Sequence, residues 1–155
     1  MNISTLINSM RDAVSGNAAL SAWCTTNYSQ THKVYIGVDT RKPPASSDYP
    51  VVHIFPLGKS MGYELEAENH VIGVNVGVYD DDSTTTGNVI EMEGVANLEA
   101  FRKLVETAFI GAVTSPQRIE RIEAEYESLE FFPFFLCGME VHVSDEYFGG
   151  NDAFK

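Results

Sequence analysis

Between His32 and Tyr79 the apolar side chains come in runs that recur at every second position, with no segment of helical spacing between them. Successive side chains of a β-strand point to opposite faces, so a period of two marks a half-buried strand. In the first run Val34, Ile36 and Val38 face one way, while Tyr35, Gly37 and Asp39 face the other. The stretch RKPPASSDYP then reads as a surface loop, because Pro43 and Pro44 remove backbone donors and fix φ. A second strand is expected over Val51–Leu57, with Pro50 and Pro56 at its margins, as suits a strand end or a sheet edge. The clearest run is His70–Tyr79. Ile72, Val74, Val76 and Val78 make one apolar face, and Gly73, Asn75 and Gly77 leave the other flat enough for a close approach. It ends in Asp80, Asp81 and Asp82, followed by Ser, Thr and Gly, which reads as a solvated loop. Strands that follow one another without crossover helices predict a mostly antiparallel sheet.

Helical spacing lies on either side of these runs. Ile3, Leu6, Ile7, Met10 and Val14 share one helix face, Asn2 or Ser4 can cap it, and Gly16 follows as a stop. Asn17 opens a short Ala-rich helical turn ending near Trp23. From Asn97 to Val113, residues Leu98, Phe101, Leu104, Val105, Ala108 and Ala112 form an apolar stripe. Glu99 with Lys103 and Arg102 with Glu106 supply pairs four apart on its wet side, and Pro116 bars continuation.

Residues 118–129 fit two patterns: Ile119, Ile122, Tyr126 and Leu129 a helix, or Ile122, Ala124 and Tyr126 alternating with Glu123, Glu125 and Glu127 a strand. The strand is the expectation, since Met139, Val141 and Val143 alternate with Glu140, His142 and Ser144 and need a partner across a hairpin at Phe131–Phe135. The reading is a single α+β domain over residues 1–155. It has a mostly antiparallel sheet of about five strands, helices packed on one face, and the order α-β-β-β-α-β-β.

The chain carries 10 basic and 22 acidic residues, a net charge of −12. Nucleic-acid affinity rests on clustered Lys and Arg that displace counterions, so no specific nucleic-acid binding is expected. The same charge disfavours an anionic membrane surface, and the longest apolar run falls far short of the ~20 residues a membrane helix needs. MNISTLINSM has no basic stretch followed by an apolar run, so no secretory signal is read there and a soluble, cytosolic chain is expected. Cys24 and Cys137 are expected as free thiols.

Motifs that carry chemistry are scarce. No GxSxG stands on a strand-to-helix turn, no GxxxxGK[ST] loop occurs, and GVNVG lies within a strand. His32, His53, His70 and His142 are scattered singly, which reads as histidines at strand ends or on half-wet faces; no metal, cofactor or catalytic residue is assigned. Contiguous Asp80, Asp81 and Asp82 lack the alternation of a calcium loop and read as a solvated turn. Glu123, Glu125 and Glu127 read as one exposed strand face that wants solvent or a basic partner. In FFPFF a strand or turn can bury only about half of Phe131, Phe132, Phe134 and Phe135. The rest would pack at a hairpin corner or form an exposed patch of the kind that marks an association surface.

A short N-terminal helix comes first, VYIG opens the first strand, and a Pro-rich loop closes with DYPVVHIFP. An amphipathic helix follows, and FFPFF precedes the last strand. In this order of elements, from about Ile3 to Val143, the chain resembles the tail terminator (tail completion) proteins of long-tailed bacteriophages. The resemblance implies a small α+β subunit of a homohexameric ring that caps the tail tube and gives the capsid a face to dock on. Its partners would be copies of itself, the tail tube protein and a head-completion protein. Its place would be the virion tail, after assembly in the bacterial cytoplasm. No catalytic residue carries over. Loops at the two ends of the sheet would make the contacts, with candidates Arg41–Tyr49 (Asp48 and Tyr49 included), Asp80–Gly87 and Phe131–Phe135. An acidic lumen would let DNA pass without sticking. Two other classes remain open on the residues alone: a small cytosolic enzyme or metal-binding domain with an unrecognised site, and a monomeric adaptor domain.

Overall fold

A computed structural model of the protein describes residues 2–61, 67–127 and 130–146. The helices are α1 (Ile3–Ser15), α2 (Ala18–Tyr28) and α3 (Glu93–Ile110). The strands are β1 (Lys33–Ile36), β2 (Val51–Ser60), β3 (Ala67–Tyr79), β4 (Ser83–Thr86), β5 (Val89–Met92), β6 (Gln117–Glu127) and β7 (Phe134–Glu146). Five of them form one sheet in the order β1-β2-β3-β7-β6, and β4 and β5 form a separate hairpin. β1 runs parallel to β2, and the other three pairings of the main sheet are antiparallel. The fold is α+β, as the periodicities require.

Alternation divides the sheet cleanly. Val52 and Ile54 of β2, Ile72 to Val78 at even positions of β3, and Phe135 to Val143 at odd positions of β7 point into one core. They meet Leu6, Met10 and Val14 of α1, Leu20 and Cys24 of α2, and Leu98, Phe101, Val105 and Phe109 of α3. Trp23 stacks on Phe101 with ring centroids 5.8 Å apart, fixing α2 against α3. The caps follow the sequence. Asn2 Oδ1 accepts from Ser4 N–H at 2.9 Å, and Asn17 Oδ1 accepts from Leu20 N–H at 2.8 Å.

Residues 117–127 form a strand, and the hairpin through Phe131–Phe135 joins it to β7; Ser128 and Leu129 lie outside the described residues. Several expectations need correction. α2 runs on to Tyr28 instead of stopping near Trp23. β1 ends at Ile36, because Gly37 turns the chain with φ +86°. β2 extends to Ser60 instead of ending at Leu57, while its prolines sit as expected, Pro50 just before its first residue and Pro56 at a bulge beyond the last residue paired with β1, where β2 borders the sheet. α3 starts at Glu93 and ends at Ile110, earlier at both ends than the apolar stripe suggests. Residues 83–92 form a hairpin where a loop is expected, so two strands precede α3 in addition to the predicted order.

The second face of the sheet carries no helix among the described residues. Its flat glycine row is filled from within the chain. A Cβ on Gly73 would fall 2.3 Å from the Phe55 ring, and one on Gly77 would fall 2.7 Å from Leu136 and 2.9 Å from Tyr49.

On the helical side Gly94 is the tightest point. A Cβ there would lie 2.2 Å from two ring atoms of buried Phe135. Gly94→Ala should therefore destabilise by about 1–3 kcal/mol, although Ala is the better helix former; urea denaturation of the two proteins measures it. At the sheet edge Arg102 holds Glu99 at 2.9 Å, and the Tyr126 hydroxyl donates to the same carboxylate. The Arg102 guanidinium first, and that hydroxyl second, depress the Glu99 carboxyl from 4.5 to about 2. A lowered folded-state value contributes stability above pH 4.5 and loses it as pH falls toward 2. Thermal midpoints of Glu99→Gln should thus decline less steeply than wild type across that window.

Candidate assembly surface

The start of β2, the end of β3, the start of β7 and the start of α3 meet at one end of the sheet. The register requires it: Val51 pairs with Gly77, and Tyr79 with Phe134. Phe134 lies between two aromatic neighbours, edge-on to Tyr49 and to Tyr79 with centroids 5.1 Å away in each case. Asp80 N–H donates to the Pro133 carbonyl at 2.9 Å, and Glu93 N–H donates to the Asp82 carbonyl at 3.1 Å. Tyr49, Asp80–Asp82 and Phe131–Phe135 therefore converge, although they are far apart in sequence. They share one end of the sheet. Arg41 and Lys42 stand apart from them, on the loop that follows β1.

The FFPFF segment divides between the turn and the start of β7. Phe135 is buried, Phe134 is half-buried, and Phe131 and Phe132 stay 45% and 53% exposed. The ring of Phe132 meets Phe135 at 6.0 Å, edge to face. The β4–β5 hairpin exposes Val89, Ile90 and Met92, and α3 exposes Val95. Sequence reasoning missed this hairpin. Its signal is a two-residue Gly87-Asn88 turn, with φ +64° at Gly87, between Thr86 and Val89. A lone two-stranded ribbon with apolar side chains in water is marginal by itself.

The acidic candidates take different places. Asp80 is 7% exposed, not a solvated turn residue. Its carboxylate accepts from Asn97 Nδ2 at 2.9 Å, from the Tyr28 hydroxyl at 3.1 Å and from Asp82 N–H at 3.1 Å. Burial first, and the Asp80 charge second, push the Tyr28 phenol above its ordinary range. Asp80 is thus a clasp joining α2, α3 and the end of β3, while Asp81 and Asp82 are exposed. Asp48 pairs with Lys33 and accepts from Ala45 N–H at 2.9 Å, closing the turn that delivers Tyr49.

Among the described residues neither cysteine is paired with a base. Cys24 and Cys137 are free and buried, and desolvation pushes their thiols up to about 12 and about 11. His32 lies close to Cys24 in sequence, but its Nε2 is 2.7 Å from the Val14 carbonyl. His142 faces away from Cys137 across the sheet. His53 and His142 are half-buried as expected, whereas His32 and His70 are buried outright, the latter at 0% exposure beside Glu68 (3.7 Å). Burial holds both of these histidines below the usual imidazole range. Two groups, Glu123–Glu140–His142 and Asp80–Asp82–Glu93, bring three potential metal-ligand atoms within 4.8 Å of one another. In the second, Asp80 already accepts three hydrogen bonds and Glu93 accepts from Thr84 Oγ1 at 2.7 Å. No helix among the described residues is long and apolar enough to cross a membrane. No protein-family profile matches the chain, and no curated protein matches it.

Removing the Asp80 clasp leaves two half-buried partners, Tyr28 and Asn97, without their acceptor. Asp80→Ala should cost about 1–3 kcal/mol, whereas Asp81→Ala should stay within about 0.5 kcal/mol; chemical denaturation of both variants measures the contrast.

Proposed function

We propose that this protein is a structural subunit, not an enzyme, whose copies close into a homo-oligomeric ring of the kind formed by phage tail terminators. The observation that carries the reading is the pair of adjacent aromatic rings, Phe131 and Phe132, left about half in water at one end of the sheet. Large apolar rings left side by side in water mark an association surface. Both rings sit in the turn that joins β6 to β7, which is held by the Phe134 N–H donating to the Phe131 carbonyl at 2.7 Å and by the Phe132–Phe135 ring contact, so little order must be gained on docking. By the resemblance, the ring has six copies, caps the tail tube and offers the head its docking face. The end that bears Phe131 and Phe132 would meet the tube or the head-completion protein.

The net charge of −12 supports the same assignment. A lumen that threads DNA works best with walls that make no phosphate contacts. Asp81 and Asp82 are exposed and available for such a wall, and the buried Asp80 is not.

Light scattering over micromolar to millimolar concentration should give a closed multiple of the 17.1 kDa chain. The double variant Phe131→Ser/Phe132→Ser should leave the unfolding free energy within about 1 kcal/mol of wild type, because both rings are already half in water. It should also lose the ability to complete tails. A wild-type protein that stays monomeric throughout, or a variant that completes tails normally, defeats the reading.

A further inference from the structure

The uncovered face of the sheet is not uniform. At its β6 edge Glu123, Glu125 and Glu127 alternate outward, and Glu140 of β7 stands directly opposite Glu123. Like charges facing each other across a pair of strands destabilise it. Arg121 Nε at 3.6 Å and His142 Nε2 at 3.4 Å relieve Glu123. Glu125 and Glu127 have no cationic partner among the described residues. Between this row and the middle of the sheet runs a groove of about 510 Å³, with Phe55, Gly73 and Gly138 as floor and Glu125 and Glu127 in its wall. Leu57, exposed, extends the apolar floor.

The opposite edge carries the complement. The loop after β1 presents Arg41, whose side chain is 90% exposed, and Lys42. Lys42 is the only Lys or Arg among the described residues with no carboxylate partner. Asp39 accepts from Arg41 N–H at 3.0 Å and from Arg41 Nε at 3.1 Å, and Gln30 Nε2 donates to the Ser47 carbonyl at 2.9 Å, so the loop is fixed before any partner arrives. Ile36 and Val38 lie exposed just before it.

From this placement we infer that the Arg41–Lys42 loop of one copy docks in the acidic groove of the next, with Ile36 and Val38 against the apolar floor and the two cations against Glu125 and Glu127. The inference rests on the ring reading and names the contact that would build it. Two unlike surfaces at opposite edges of one sheet make a head-to-tail contact, which propagates and closes into a ring when the rotation allows. For a chain of net charge −12 the pairing also solves a problem, because copies that met acid to acid would repel.

The test uses two full-length variants. Arg41→Glu/Lys42→Glu makes the loop acidic, and Glu125→Lys/Glu127→Lys makes the groove basic. Each alone sets like against like and should weaken self-association about a hundredfold. Mixed in equal amounts they should assemble again, since the acidic loop of one meets the basic groove of the other and the unaltered surfaces also match. Circular dichroism checks that each variant is folded, and all four side chains are exposed. If wild type assembles and either variant alone assembles equally well, or the mixture stays monomeric, this contact is wrong while the ring stands. If wild type never assembles, the ring itself fails and the contact with it.

Discussion

The antiparallel pairing of β3 with β7, unbroken from Ala67 opposite Glu146 to Tyr79 opposite Phe134, is what the rest of the structure hangs on. These two strands occupy the middle of the sheet, and their period of two sends Ile72, Val74, Val76 and Val78 with Cys137, Met139, Val141 and Val143 to the helical side. A slip of one residue would turn that whole set toward water. The same register brings Asp80 beside Pro133 and Phe134 beside Tyr79, so it also builds the exposed apolar end. Core and candidate surface are two outcomes of one alignment.

Long alternating or helical runs were legible because their periodicity reports burial directly. The face of β3 and the stripe of α3 both follow from side-chain direction. What stayed hidden depended on partners distant in sequence. Nothing local marks Asp80 as different from Asp81 and Asp82; only the arrival of Tyr28 and Asn97, 52 and 17 positions away, turns it from a solvent charge into a buried acceptor. The β4–β5 hairpin was missed for the opposite reason. Ser83–Thr86 is polar throughout and exposed throughout, so alternation has no signal there, and only the Gly87-Asn88 turn gave it away. Gly73 and Gly77 read correctly as flat positions, but the sequence could not say that Phe55, Leu136 and Tyr49 would lie across them.

The exposed surfaces differ in what they demand. The Phe131–Phe132 corner and the hairpin offer apolar area, which favours association without regard to direction. The acidic groove and the Arg41–Lys42 loop offer charge, which adds little to affinity but selects partner and orientation and speeds encounter. A subunit needs both. Apolar contact alone would let copies stack in many ways, and charge alone would give way in physiological salt, where exposed pairs beyond about 8 Å are screened.

That division would let a chain this acidic assemble with copies of itself, as proposed. Twenty-two acidic residues against ten basic ones would oppose any contact that met surfaces at random. Nearly all the Lys and Arg side chains among the described residues are already occupied by carboxylates of their own chain, as Lys33 is by Asp48 and Arg102 by Glu99 and Glu106. The cation left over therefore decides which approach is favourable. Lys42 stands at the β1 edge and the unpaired glutamates at the β6 edge, with the width of the sheet between them, so neither can satisfy the other within one molecule. In the proposed ring a second copy would bring them together, placed side by side in the same sense, which is the repeat a closed ring requires.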